Sequence, residues 1–261
     1  MTLRLAANIS LMFTEWAFAD RFKAARDAGF EAVEFMFPEG LAADQVANLL
    51  DGNGLAQVLA NVPLQVGSKG LAAVIGEERN FKADFLIGLH FAAVCKAPLL
   101  HVTAGVVDPS DYPDACPVFS RNINWAIEAA RAQGVTVLIE AINQTAVPNY
   151  FIRSLGQAYE WTTRCPGLGY ILDIYHAAME GLEAVETIDS YLAKASYVQL
   201  AGYPGRHEPD VGLLPLVELG SALGASRYTG WVGCEYIPAG KTMDGLGWIK
   251  QTAPSAQSIN R

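Results

Sequence analysis

The stretch NISLMFTEW, residues 8–16, follows the first apolar run of the chain and contains no glycine. That run, LAANIS (5–10), gives way to a helical pattern over Trp16 to Ala28 that stops at Gly29, so the chain opens as strand then helix. A doubly wound sheet would place a glycine-rich, phosphate-wrapping loop at this first turn. Its absence points to a different closure of the same βα rhythm. The rhythm repeats through AVEFMF (32–37), LAQVLANVP (55–63), LLHVTAG (99–105), VTVLIEAIN (135–143), GYILDIYH (169–176), SYVQLAG (196–202) and GWVGCEYIP (230–238). Helical patterns lie between them, such as VFSRNINWAIEAARAQG (118–134) with its terminal Gly134. Eight parallel strands with intervening helices predict an α/β fold, a (β/α)8 TIM barrel.

Hydrophobic residues make up 51% of the 261 and charged ones 17%, with no long polar spacer, so one barrel domain over residues 1–261 is expected. The glycine-rich connection Gln65–Asn80 (Gly67, Gly70, Gly76) reads either as a mobile loop over the barrel mouth or as a surface excursion.

A net charge of -9 leaves no basic face for phosphates, which argues against nucleic acid or anionic membrane as partners. No apolar run reaches about 18 residues and MTLRLAANIS lacks the pattern of a signal peptide, so a soluble cytoplasmic protein is expected. Cys95, Cys116, Cys165 and Cys234 are far apart without C-x-x-C spacing, which fits reduced thiols rather than a zinc cluster or redox pair.

In this fold the side chains that do chemistry stand at the carboxyl ends of the strands. Reading those ends gives Glu140 in LIEAIN, Asp173 in LDIYH, Gln199 in VQLAG and Glu235 in CEYIP. Three buried carboxylates at similar heights repel one another and lose hydration, unless protons or a shared cation neutralise them. An all-oxygen set suits a hard divalent cation, Mg²⁺ or Mn²⁺. The competing expectation is that each acid is satisfied separately: Glu140 by Asn143, Asp173 by Tyr175 or His176, Glu235 by a lysine such as Lys241. His176, just past the end of its strand, would project beside the metal towards substrate. The loop AGYPGRHEPD (201–210) could hold Arg206, His207 and Glu208 over the strand ends, with the Arg206 fork suited to a carboxylate.

The segments NISLMF, GFEAVEFMFP, GLAAVIGEERNF, IEAIN, LDIYH, VQLAG, PGRHEP and GWVGCEY resemble the hydroxypyruvate isomerase family of xylose-isomerase-like barrels, which includes 2-oxo-tetronate isomerases. The resemblance runs in order from Ala7 to about Trp248. It implies metal ligation by Glu140, Asp173, Gln199 and Glu235, acid/base work by Glu140 and Glu235, and substrate contact by His176 and Arg206. Beside them Glu208 is expected on the substrate-binding side, where it would fix Arg206. Relatives tend to carry other residues where this chain has Ala60, Ala141, Gln144, Gly202, Gly205 and Leu213, so the metal shell matches while the substrate shell is altered. The implied activity is a metal-dependent isomerisation of a small 2-keto-3-hydroxy acid and its aldehyde form through an enediolate. Rival expectations are a keto-sugar 3-epimerase and a non-catalytic binder of a sugar or acid. The partner is then a small hydroxycarbonyl acid or sugar, with a homo-oligomer left open.

Overall fold

The computed structural model describes residues 3–38 and 40–252. Eight parallel strands close in chain order into a barrel: β1 (Arg4–Asn8), β2 (Ala32–Glu34), β3 (Ala56–Asn61), β4 (Leu99–His101), β5 (Thr136–Glu140), β6 (Gly169–Asp173), β7 (Tyr197–Leu200) and β8 (Trp231–Cys234). β8 pairs back onto β1 and completes the circle. Around it run α1 (Phe18–Asp27), α2 (Ala43–Asn53), α3 (Glu78–Val94), α4 (Tyr112–Arg131), α5 (Leu155–Arg164), α6 (Ile174–Met179), α7 (Ala184–Tyr191) and α8 (Leu216–Ala225). A 3₁₀ segment, Thr242–Thr252, follows β8 and buries Trp248.

Two buried clusters show which way each strand faces. A large one lies between sheet and helices; a small one, with Ala6, Ala32, Leu59, Leu138, Ile171 and Tyr197, fills the barrel interior. Strand side chains alternate faces, so the residue two positions further on also points inward. That rule turns Asn8, Glu34, Asn61, Glu140, Asp173 and Gln199 into the barrel, one layer above the apolar plug. Polar groups at this level face the open carboxyl end, where water or ligand can reach them.

Two elements differ from the sequence-based expectation. α4 begins at Tyr112, six residues before the anticipated Val118, because Pro113 sits in its first turn, where no backbone N–H is required. Pro117 is carried inside the helix. The run GYILDIYH stops being a strand at Asp173, whose Oδ1 accepts the backbone N–H of Tyr175 at 2.7 Å and of His176 at 3.3 Å. Those two bonds cap α6, so His176 stands on a helix rather than on a strand extension.

The Gln65–Asn80 connection is pinned at its middle. Gly70 forms a bridge with Ala104, Ala73 N–H donates to Ala104 O at 2.8 Å, and Asn122 Nδ2 donates to Ala72 O at 2.9 Å. Gly70 is required here: its φ is +106°, and a Cβ would lie 2.2 Å from Thr103 O.

Candidate active site

Each strand delivers one polar residue at or next to its carboxyl end: Asn8, Glu34, Asn61, His101, Glu140, Asp173, Gln199 and Glu235. The expected four are not at one height. Glu140 pairs with Ile171, two residues before Asp173; Asp173 pairs with Gln199; Gln199 pairs with Gly233, two before Glu235. The stagger is that of a closed barrel with tilted strands, and it lays the four residues along a slanting arc.

Glu140 is almost fully buried. Its Oε1 lies 3.7 Å from His176 Nε2 and its Oε2 3.6 Å from His101 Nε2. The two rings approach it through the same atom, Nε2, but with opposite hydrogen-bonding character. Asn143 Oδ1 accepts the N–H of Ala146, so Asn143 offers Nδ2 to His176 Nδ1 at 2.7 Å, and the Asn143 backbone N–H donates to the same atom at 3.2 Å. Nδ1 is therefore an acceptor, and the neutral His176 ring carries its hydrogen on Nε2. For His101 the order reverses. Asn61 Nδ2 donates to Phe35 O at 2.9 Å, which leaves its Oδ1 to accept from His101 Nδ1 at 3.0 Å, and His101 Nε2 is a bare acceptor. Burial above all pulls both rings down to about 4, so both are neutral at ordinary pH.

Burial also raises the acids. Glu140 is pushed well above the usual carboxylate range by burial and by the charges of Glu235 and Asp173. Asp173 and Glu235 are raised by burial too, with Arg206 working against the rise. Arg206 Nη2 lies 2.6 Å from Glu235 Oε2 and 3.6 Å from Asp173 Oδ2, and its guanidinium sits 5.2 Å from the centre of the Tyr175 ring. Burial opposes its charge, but Glu235, Asp173 and Glu140 together hold it protonated.

Of the separate satisfactions envisaged for the acids, only part occurs. Asp173 Oδ1 does cap His176 and Tyr175, whereas Asn143 serves His176 rather than Glu140, and Glu235 pairs with Arg206 rather than Lys241. Glu140 Oε1, Asp173 Oδ2 and Gln199 Oε1 are buried and have no hydrogen-bond partner among the described residues. Three unpartnered oxygens beside raised carboxyls are what a divalent cation would satisfy. Ligand atoms of Glu140, Asp173 and His176 also lie within 4.8 Å of one another, close enough to share one ion. Yet His176 Nε2 presents an N–H in this tautomer, and a metal needs a lone pair. The oxygens fit a cation; the ring fits the role of hydrogen-bond donor.

Glu208 departs from its expected place. Its carboxylate accepts the backbone N–H of Ala239, 3.2 Å from each oxygen, and does not meet Arg206. The close approach of Gly245, where a Cβ would lie 2.3 Å from Glu208 Oε1, holds it under the 3₁₀ segment. His207 Nδ1 faces Ile237 O at 2.8 Å. Sequence reading missed Asn8, Glu34, Asn61 and His101, although they stand in the quoted runs at the same strand-end positions used to find the others.

The xylose isomerase-like TIM barrel family model matches residues 22–252. The chain belongs to this family. It is 41% identical over 254 residues to a 2-oxo-tetronate isomerase of Cupriavidus necator, covering 95% of this chain and 97% of the relative. It is 30% identical to the hydroxypyruvate isomerase of Escherichia coli, covering 95% and 98% of the two chains. Among solved structures, one described as a family 2 AP endonuclease from Brucella melitensis superposes with a TM-score of 0.92 at 38% identity, covering 95% and 98%. With isomerases as relatives over nearly the whole length of both chains, this member of the family is an isomerase. No helix among the described residues is long and apolar enough to cross a membrane.

Proposed function

We propose that this isomerase is divalent-metal-dependent and moves the carbonyl of a small 2-keto-3-hydroxy acid from C2 to C3, which gives an aldehyde from hydroxypyruvate and a 3-keto acid from 2-oxo-tetronate. The observation that carries the reading is the set of buried oxygens on Glu140, Asp173 and Gln199 that have no hydrogen-bond partner among the described residues, with Arg206 Nη2 3.6 Å from the Asp173 one. These three oxygens and Glu235 would hold Mg²⁺ or Mn²⁺. Bound there, the cation would polarise the substrate carbonyl and stabilise negative charge on its oxygen.

The chain's own groups do the rest. One of Glu140 and Glu235, as carboxylate, takes the proton from the carbon bearing the hydroxyl; the electrons of that bond form the enediolate. The other, as carboxylic acid, returns a proton to the neighbouring carbon, and the hydroxyl proton passes from its oxygen to the former carbonyl oxygen, so that the carbonyl moves one position along. Glu140 is suited to exchanging protons, since it lies between the bare nitrogen of His101 and the N–H of His176. His176 Nε2–H would donate to a substrate oxygen. Arg206, a planar fork with its Nε unpartnered among the described residues, would hold the substrate carboxylate.

The likeness to a structure described as an endonuclease does not displace this reading, because a net charge of -9 opposes a phosphate backbone. The test is a panel of hydroxycarbonyl acids and ketoses with Mn²⁺ or Mg²⁺ in D₂O, following the carbon-bound proton by NMR. The aldehyde from hydroxypyruvate or the 3-keto isomer from 2-oxo-tetronate is expected, with deuterium on the carbon that receives the proton, and Glu140→Gln should abolish both. Turnover of free ketohexoses alone would make it an epimerase, and binding without exchange would make it a non-catalytic relative; either result overturns the proposal.

A further inference from the structure

We infer that Glu34, through a relay that begins at the backbone of Ser10, sets which end of the Gln199 amide faces the site. The inference rests on the metal reading above only for its consequence. The Ser10 N–H can only donate, and it lies 3.1 Å from Asn8 Oδ1. That fixes the Asn8 amide and turns its Nδ2 to Glu34 Oε1 at 3.1 Å. Glu34 Oε1 is thereby an acceptor. With the proton of the Glu34 carboxyl on Oε2, the oxygen that has no hydrogen-bond partner among the described residues, the group that Gln199 brings to Oε1 at 3.0 Å is its Nε2. Its carbonyl Oε1 is left on the other side, buried and unpartnered among the described residues.

The surroundings keep Glu34 where the relay needs it. It is 1% exposed, and its strand pairs Glu34 directly with Asn8. Gly233 lies against it: a Cβ there would come 2.8 Å from both Glu34 oxygens and 2.7 Å from the Tyr197 hydroxyl. Glycine at 233 therefore makes room for the acid. A free amide could turn over and offer N–H to the site, where three acids and a cation call for an oxygen. Glu34 is thus a positioning residue that acts on the site through Gln199.

The experiment measures Mn²⁺ binding from the free-ion EPR signal, without substrate. Glu34→Gln keeps an acceptor oxygen and is expected to bind within about threefold of the wild type. Glu34→Leu removes it and should weaken binding about 10- to 100-fold, as loss of a ligand-orienting partner does. Adding Gln199→Glu to Glu34→Leu should recover the affinity, because a carboxylate offers oxygen from either end. If Glu34→Leu does not fold, Glu34→Met replaces it. In metal-free protein, a Gln199 side-chain N–H protected from exchange in wild type and Glu34→Gln, and unprotected in the apolar variant, reads the relay directly. Unchanged Mn²⁺ affinity in the apolar variant, equal losses in both variants, or no protected Gln199 proton would overturn the inference. Wild type that keeps the protected proton but binds no Mn²⁺ would overturn the metal reading and leave the relay standing.

Discussion

Burial, then the charge of neighbouring Glu235, pushes the Glu34 carboxyl up to about 8. An unfolded glutamate titrates near about 4.3. Between those values the folded protein holds a proton that the unfolded chain has lost, so this stability is present at low pH and is lost as pH rises through about 8. His101 and His176, pulled down to about 4, act with opposite sign: their contribution is complete above about pH 6.5 and is lost as pH falls towards 4. From about pH 6.5 to 8 only the acids slope. Chelator-treated protein should therefore lose about 1–2 kcal/mol of unfolding free energy over that interval in denaturant titrations, and Glu34→Gln should flatten the slope. An identical slope in the variant would show that Glu34 is ionised throughout. Residues of this kind were legible in part. Glu140, Asp173, Gln199 and Glu235 could be found because a polar side chain ending an apolar run is conspicuous. Asn8, Glu34 and His101 end their runs in the same way, but what they do depends on partners from distant strands.

Among the elements, the strands were readable because each is an apolar run bounded by turn residues, and their order followed from the βα rhythm. The errors came where a side chain competes for the backbone. Asp173 ends β6 by capping α6, and Pro113 stands in the first turn of α4, which begins six residues before the expected Val118. The sequence left two readings of the Gln65–Asn80 connection open, since its anchors, Thr103, Ala104 and Asn122, lie on β4's carboxyl side and on α4. Gly70→Ala should strain a left-handed backbone and drive a methyl into Thr103 O, at a cost of about 1–3 kcal/mol. Thermal unfolding would measure the loss, and faster proteolysis between Gln65 and Lys69 would locate it. A variant as stable as the parent would mean that the anchor is dispensable.

At the scale of the whole barrel, one cation would relieve repulsion among acids contributed by β5, β6 and the end of β8. Binding only to the folded chain, Mn²⁺ at a hundredfold its dissociation constant adds about 2.7 kcal/mol. For a protein of this size that corresponds to a Tm rise of about 5–10 °C, which calorimetry with and without chelator would register. No rise with either Mn²⁺ or Mg²⁺ would remove the basis for a metal site.

By itself the sequence determined the class of fold, the strand order and the identity of the acids near the mouth, because periodicity and residue type are local properties of the chain. Only the tertiary structure decided that His176 presents an N–H and His101 a lone pair, that Glu208 serves a backbone amide, and that Glu34 reaches Gln199. Each of these is settled by hydrogen-bond partners brought together from the ends of different strands and the loops that follow them, and closure of the barrel is what brings them into contact.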